Sequence, residues 1–135
     1  MNKVLQVKRI AVWGLSFKPD TDDVRESVAV KLIQKLLAEG AEVVAYDPKA
    51  MENIRAMVPE VAARITLADS PVEAADRAEA LIVATEWPEF AEVDFAEVKR
   101  RMIAPLMFDG RNLLDPRTMR DLGFEYRGIG RNSVK

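Results

Sequence analysis

Cysteine and histidine are both absent from the 135-residue sequence. Without them the chain has no cysteine nucleophile, no Ser-His-Asp triad, no ordinary zinc site and no disulfide. Catalysis by this chain alone would have to use carboxylates, lysine, tyrosine or a cofactor. The composition therefore argues against a self-sufficient enzyme, and we expect neither a catalytic residue nor a metal ligand in it.

Long apolar runs and a strong charge imbalance are also missing. The 20 basic and 22 acidic residues form no long run of either sign, which argues against a nucleic-acid groove or a membrane patch. No apolar run approaches the ~18 residues needed to cross a bilayer, and no signal-peptide pattern opens the chain. We expect a cytoplasmic chain with one domain over residues 8–131, flanked by short segments 1–7 and 132–135.

Strand-like and helix-like segments alternate along the chain. Strands are predicted near residues 9–13, 42–46, 64–67, 80–84, 106–108 and 124–126. A helix is predicted from Val28 to Glu39, and shorter helices follow, two of them opened by Ser70-Pro71 and Asp115-Pro116 caps. Right-handed crossovers between parallel strands follow from this alternation. We predict an α/β fold, a doubly wound, Rossmann-like sheet of six strands in the order 3-2-1-4-5-6 with helices on both faces.

The connection after the first strand is long and rich in charge. Residues 14–27 read Gly-Leu-Ser-Phe-Lys-Pro-Asp-Thr-Asp-Asp-Val-Arg-Glu-Ser. They are about a dozen residues, where roughly two to six are usual for such a connection. In the predicted strand order, ligands bind in the crevice between the loops after strands one and four. We therefore predict that residues 14–27 form the binding loop.

The usual dinucleotide-binding fingerprint, G-x-G-x-x-G, is absent from this loop, because no glycine occurs from Leu15 to Pro19. Without those glycines the backbone cannot approach a pyrophosphate as closely. Asp47, at the end of strand two, could hold an adenosine ribose. The pair Asp47-Pro48 fits better as a helix N-cap followed by proline at the first helical position.

Five ordered blocks of sequence resemble one known family. They are residues 14–27, quoted above, then Ala-Tyr-Asp-Pro-Lys-Ala-Met (45–51), Thr-Glu-Trp-Pro-Glu-Phe (85–90), Phe-Asp-Gly-Arg-Asn (108–112) and Gly-Phe-Glu-Tyr-Arg-Gly-Ile-Gly-Arg (123–131). Together they resemble the C-terminal, UDP-binding domain of the UDP-glucose dehydrogenases. The GDP-mannose and UDP-N-acetylmannosamine dehydrogenases belong to the same family. The resemblance covers nearly the whole chain.

The resemblance implies an NAD-dependent oxidation of UDP-glucose to UDP-glucuronate, with two NAD+ and a covalent intermediate on a cysteine. It also implies an N-terminal NAD-binding domain and a central helical segment that joins a homodimer or higher oligomer. These parts lie outside the matching blocks. We therefore expect an excised domain that binds UDP-glucose or UDP, is inactive alone, and can self-associate through surface that the central helix would cover.

By position in the matching blocks, the resemblance assigns substrate contacts to Phe17, Lys18 and Arg111. It assigns to Arg25 a contact with NAD across the domain cleft. A mobile lysine charge and an arginine fork both suit a pyrophosphate or a sugar hydroxyl. Each charge has a simpler interpretation, because Lys18 could be a solvated loop lysine and Arg25 could form an ion pair within the loop. Arg111 could likewise pair with Asp109.

Two matters stay open in the sequence. Trp87 and Phe90 could contact a ligand or a partner domain, or could simply seal the loop after strand four. The function could also be that of the same domain in a GDP-mannose or UDP-N-acetylmannosamine dehydrogenase, or of a non-catalytic interaction module. A receiver module would need an aspartate at the end of strand three and a lysine after strand five, which Leu67 and the turn at 109–111 do not supply.

Overall fold

The computed structural model describes residues 8–16 and 27–128. Strands β1 to β6 are Arg9–Trp13, Glu42–Tyr46, Thr66–Leu67, Ala80–Val83, Leu106–Asp109 and Glu125–Gly128. Helices α1 to α6 are Val28–Ala38, Met51–Met57, Pro59–Ala62, Pro71–Ala74, Phe95–Arg101 and Pro116–Asp121, and a 3-10 helix, Pro88–Glu92, precedes α5. The strands form one parallel sheet in the order β3-β2-β1-β4-β5-β6, which confirms the predicted fold.

Strand β1 lies in the middle of the sheet and determines where the loops meet. Its last residue, Trp13, is in register with Tyr46 of β2 and with Val83 of β4. Val83 is in turn in register with Asp109 of β5. Because these strands are parallel and end in the same row, the loops that follow them lie side by side at one edge of the sheet.

Each face of the sheet has its own apolar core. Helices α1 to α3 cover one face, where Ile33, Ile54 and Val61 pack with Val12 of β1. Helices α4 to α6 cover the other face, where Ala74, Val98 and Met119 pack around Trp13. The ring centroid of Trp13 lies 5.3 Å from that of Phe90 and 5.9 Å from that of Phe95. Burial of one such side chain stabilises the fold by roughly 1.5–3 kcal/mol.

The first face is incompletely covered beyond α1. Ile82, Leu106 and Phe108 are only partly buried there, and with Leu36 they line an apolar depression of about 400 Å³. Phe108 is 37% exposed. Among the helices of the described residues, none has the length and apolar character that a membrane crossing requires.

Most local predictions are confirmed, and three need correction. Ser70 and Asp115 cap α4 and α6 as predicted, through hydrogen bonds from the amides of Glu73 and Thr118. Asp47 is not a helix N-cap, since α2 begins only at Met51. The short helix α3, which Pro59 opens, was not predicted. Strand β3 is shorter than expected, at two residues.

Candidate functional site

The crevice lies between the loops that follow β1 and β4. The chain leaves β1 toward the face that α1 covers and leaves β4 toward the face that α5 covers. Backbone hydrogen bonds continue past both strands, from Gly14 N to Tyr46 O at 2.7 Å and from Ala84 N to Trp13 O at 2.8 Å. Both loops therefore start from fixed positions on the predicted switch point of the sheet.

Thr85 connects the loop after β4 to the loop after β1 at this crevice. Its hydroxyl donates to the carbonyl oxygen of Ser16 at 3.1 Å, and both residues are buried. Gly14 faces Thr85 so closely that a Cβ added at Gly14 would lie 2.5 Å from the Thr85 Cβ. The backbone of Gly14 is thus packed against Thr85 where the two loops leave the sheet.

Asp47 accepts hydrogen bonds from three loops at once. Its Oδ2 accepts from Leu15 N at 2.8 Å, from Ser16 N at 3.3 Å and from Trp87 Nε1 at 3.0 Å. Its Oδ1 accepts from the amides of Lys49 and Ala50, both at 2.8 Å. The side chain therefore caps a turn before α2, rather than the helix itself, and holds the neighbouring loops as well.

The same geometry tests whether Asp47 could hold the ribose of a dinucleotide. The residue is 1% exposed and both carboxylate oxygens already accept hydrogen bonds from protein groups. A ribose hydroxyl cannot reach it without displacing these groups. Asp47 is therefore not available to hold a ribose hydroxyl in this structure.

Trp87 and Phe90 both belong to the interior of the protein. Phe90 is fully buried, with its ring centroid 6.3 Å from that of Tyr46 as well as close to Trp13. Trp87 is 6% exposed and directs its indole N–H to Asp47. Of the alternatives for these aromatic side chains, sealing of the loop after β4 agrees with the structure.

Arg111 lies just beyond β5, on the far side of the β4 loop. Its Nε donates to Oε1 of Glu86 at 2.6 Å, and both side chains are about two-fifths exposed, at 42% and 41%. The sequence allowed an ion pair between Arg111 and Asp109, but the structure does not show one. Asp109 is buried and instead accepts hydrogen bonds from Arg111 N, Leu114 N and the Tyr126 hydroxyl. The Glu86 partner was not predicted, since the two residues lie 25 positions apart.

The other predicted site residues cannot be placed. Phe17, Lys18 and Arg25 lie outside the described residues. Leu15 and Ser16, which directly precede Phe17 and Lys18 in sequence, are buried at the crevice. Of the predicted site residues, the structure therefore locates Arg111 alone.

One titratable side chain near the crevice, that of Tyr46, has a shifted pKa. The Tyr46 hydroxyl donates to Oε2 of Glu89 at 3.0 Å. Burial, this hydrogen bond and the nearby carboxylate charge raise the pKa of Tyr46 to about 12, so the phenol stays neutral. The buried carboxylates of Asp47 and Asp109 already accept hydrogen bonds from protein groups. The exposed guanidinium of Arg111 can bind an anion, so the arrangement suits binding rather than bond making.

Comparisons with known proteins agree with this description. The family model for the UDP binding domain of the UDP-glucose/GDP-mannose dehydrogenase family matches residues 11–116. The UDP-glucose 6-dehydrogenase of Pseudomonas aeruginosa is 47% identical over 128 residues, which cover 93% of this chain and 28% of that protein. The corresponding protein of Rhizobium meliloti is 44% identical over 123 residues, which cover 91% of this chain and 27% of that protein.

A solved structure shares the fold. The UDP-glucose dehydrogenase of Pyrobaculum islandicum matches with a TM-score of 0.73 at 35% identity, over 92% of this chain and 26% of that chain. The present chain therefore spans little more than a quarter of the length of these relatives. The family match over most of the sequence confirms the resemblance, and the chain belongs to the UDP-glucose/GDP-mannose dehydrogenase family, in the region of its UDP binding domain.

Proposed function

We propose that this chain is the nucleotide-sugar-binding domain of an NAD-dependent UDP-glucose 6-dehydrogenase. UDP-glucose or UDP binds in the crevice at the carboxyl ends of β1, β4 and β5. The observation that carries the proposal is the position of Arg111, a partly exposed guanidinium beside this crevice, in a chain that matches a UDP binding domain. The pyrophosphate supplies the anion that such a fork recognises.

Residues of the long loop after β1 complete the proposed site. Phe17 and Lys18 contact the nucleotide sugar from this loop, and Arg25 reaches NAD that is bound mainly by another part of the protein. Support for these three roles comes from their place in the block 14–27 and from the buried start of that loop at the crevice. In this proposal Lys18 supplies a mobile positive charge and Arg111 a guanidinium fork.

The oxidation itself is proposed for the whole protein and not for this chain. UDP-glucose is converted to UDP-glucuronate with two NAD+, in the cytoplasm and in a homodimer or higher oligomer. The sequence contains no cysteine, and the carboxylate of Asp47 already accepts hydrogen bonds from protein groups. The partly exposed side chains of Ile82, Leu106 and Phe108 support the further expectation that this chain, on its own, self-associates through that face.

Calorimetric titration of the chain with UDP-glucose, UDP and GDP tests the proposal. We expect the two uracil nucleotides to bind in preference to GDP. Arg111→Ala removes charge-assisted hydrogen bonds, and we expect it to raise the Kd for UDP by about tenfold or more. The control is Arg55→Ala, because Arg55 is also exposed and also pairs with a glutamate, Glu52, on α2.

Two results would contradict the proposed site. The folded chain could fail to bind UDP at millimolar concentration, in which case this domain does not carry the binding site by itself. Alternatively, Arg111→Ala and Arg55→Ala could change the Kd equally, in which case Arg111 is not a ligand contact. A preference for GDP over UDP would favour the GDP-mannose branch of the family instead.

A further inference from the structure

One buried carboxylate, that of Asp47, joins the loops after β1, β2 and β4. The donors are the amides of Leu15 and Ser16 after β1, the amides of Lys49 and Ala50 after β2, and the indole of Trp87 after β4. The hydroxyl of Ser16 adds a longer contact at 3.4 Å. A cap for the turn before α2 needs the bonds to Lys49 and Ala50 alone, so the remaining bonds require another explanation.

The chemistry of the side chain fits a link between loops. A carboxylate has two oxygens that only accept hydrogen bonds, whereas an asparagine amide has one accepting oxygen and one donating nitrogen. In Asp47 the Oδ1 atom accepts hydrogen bonds from the turn after β2, and the Oδ2 atom accepts hydrogen bonds from the loops after β1 and β4. An asparagine could satisfy one of these groups but would direct N–H toward the other. A buried charge is expensive unless it is hydrogen-bonded in this way.

Both walls of the proposed binding crevice are attached to this carboxylate. On one side, Leu15 and Ser16 begin the loop that continues to residues 17 and 18. On the other side, Trp87 directly follows Glu86, whose carboxylate receives the Arg111 Nε at 2.6 Å. A shift of Trp87 would therefore move the partner that orients Arg111.

We propose that Asp47 is a positioning residue for nucleotide-sugar binding. It acts through Leu15 and Ser16 on one wall and through Trp87 on the other, and it sets the separation of the two walls. It does not touch the ligand, because it is buried beneath both loops. This inference rests on the proposed function of the crevice and adds to it a residue that the binding motif alone would assign to a turn.

The test combines a ligand-free measurement with a binding measurement on the same variants. Asp47→Asn keeps the shape of the side chain and removes one acceptor. In ligand-free protein, we expect hydrogen exchange by NMR to become about tenfold faster at the Leu15 and Ser16 amides and the Trp87 indole, since in either orientation of the asparagine amide each loses its charged acceptor. The Trp13 indole, which donates to Pro71 O at 2.9 Å, serves as the internal reference and is expected not to change beyond global stability.

Binding of UDP is then measured by calorimetry. We expect the Kd of Asp47→Asn to rise by about tenfold, and that of Trp87→Phe, which lacks one of the bonds, by about threefold. Ser70→Ala removes the N-cap of α4 and is the control for general destabilisation, because its hydroxyl accepts from Glu73 N within α4. A variant with only a structural effect would resemble Ser70→Ala in both measurements.

Three results would overturn the inference. Exchange at Leu15, Ser16 and Trp87 could match that of Ser70→Ala, so that Asp47 would not hold the walls. Alternatively, Asp47→Asn could increase exchange at these groups while its Kd for UDP equals that of Ser70→Ala. In that case, the position of the two loops would not affect UDP binding. If Asp47→Asn does not fold, Trp87→Phe decides, and an unchanged Kd refutes the inference.

These outcomes are separable from failure of the proposed function. Binding of UDP that is lost in Arg111→Ala but unchanged in Asp47→Asn would overturn the role of Asp47 alone. Absence of binding by the unaltered chain would overturn the proposed site and the positioning role together.

Discussion

Substitution of Gly14 by alanine probes how closely the β1 and β4 loops are packed. Gly14 has a φ of +103°, which side-chain-bearing residues rarely adopt. An added Cβ would lie 2.5 Å from the Thr85 Cβ, 2.6 Å from its Oγ1 and 2.7 Å from its backbone nitrogen. Thr85 cannot withdraw easily, because it is buried, bonded to Ser16, and preceded by Ala84, whose amide is bonded to Trp13.

The expected loss of stability has two parts. Alanine at a positive φ costs roughly 1–2 kcal/mol in backbone strain. Insertion of a methyl group into a packed region costs roughly 1–3 kcal/mol more, since the neighbouring backbone has to shift. Gly14→Ala should therefore lower the free energy of unfolding by about 2–5 kcal/mol, a large fraction of the ~5–15 kcal/mol typical of a folded domain.

Gly123→Ala is the matched control. Gly123 has nearly the same backbone angle, with a φ of +104°. A Cβ there would meet the Cε of Lys99, which is the far end of a flexible side chain and can move aside. We expect this variant to lose only the backbone part, about 1–2 kcal/mol. The difference between the two variants isolates the contact with Thr85.

Urea unfolding of both variants, followed by far-ultraviolet circular dichroism, measures the two losses. A third variant, Gly14→Ala with Thr85→Ala, relieves the contact with Oγ1 but leaves those with Cβ and the backbone nitrogen, so most of the loss should remain. Equal losses for Gly14→Ala and Gly123→Ala, at unchanged m-values, would refute the claim that the Gly14 backbone is packed tightly against Thr85.

Two further predictions concern charge at the crevice. Glu86→Gln keeps a side-chain oxygen that can accept from Arg111 Nε and removes one negative charge beside it. At roughly 7 Å in water one charge contributes ~0.6 kcal/mol per ligand charge, so UDP should bind at least about two- to threefold more tightly at low salt and less so at high salt. Calorimetry at two salt concentrations checks this, and unchanged or weaker binding at low salt would contradict it. The neutral Tyr46 phenol, with its pKa raised from 10.0 to about 12, contributes stability that is fully present below pH 10 and is lost as the pH rises through 12. An ultraviolet titration of the unaltered chain, with the signal of Tyr46→Phe subtracted, should show ionisation of Tyr46 near pH 12. The same measurement on Glu89→Gln should give a lower midpoint, because the hydrogen-bonded carboxylate is lost. A midpoint of 10 in the unaltered chain would exclude the effects of burial and of the hydrogen bond.

The sheet could be predicted because its signals are local. Strands β1 and β2 occur at the predicted residues, since each is a short apolar run bounded by turn residues. The strand order then follows from the handedness of crossovers rather than from any single residue. The caps at Ser70 and Asp115 were predicted for the same reason, because donor and acceptor lie three residues apart.

The crevice was harder to predict because its contacts join distant parts of the chain. Asp47 precedes a proline, so its local pattern indicated a helix cap, while its partners Leu15 and Trp87 lie 32 and 40 residues away. The ion pair of Arg111 with Glu86 spans 25 residues and leaves no local pattern. Side-chain hydrogen bonds of this kind depend on the register of the sheet, which sequence periodicity does not specify.

Buried and exposed charges have separate tasks in this crevice. The carboxylates of Asp47 and Asp109 are buried, and each is surrounded by backbone amides and one aromatic donor, Trp87 Nε1 or the Tyr126 hydroxyl. Burial of a carboxylate costs free energy unless it is hydrogen-bonded, and the hydrogen bonds of these two carboxylates fix the positions of loops. Arg111 remains partly exposed and keeps donors available to an anion. A crevice built in this way can orient a nucleotide sugar without reacting with it, which agrees with the proposed binding role.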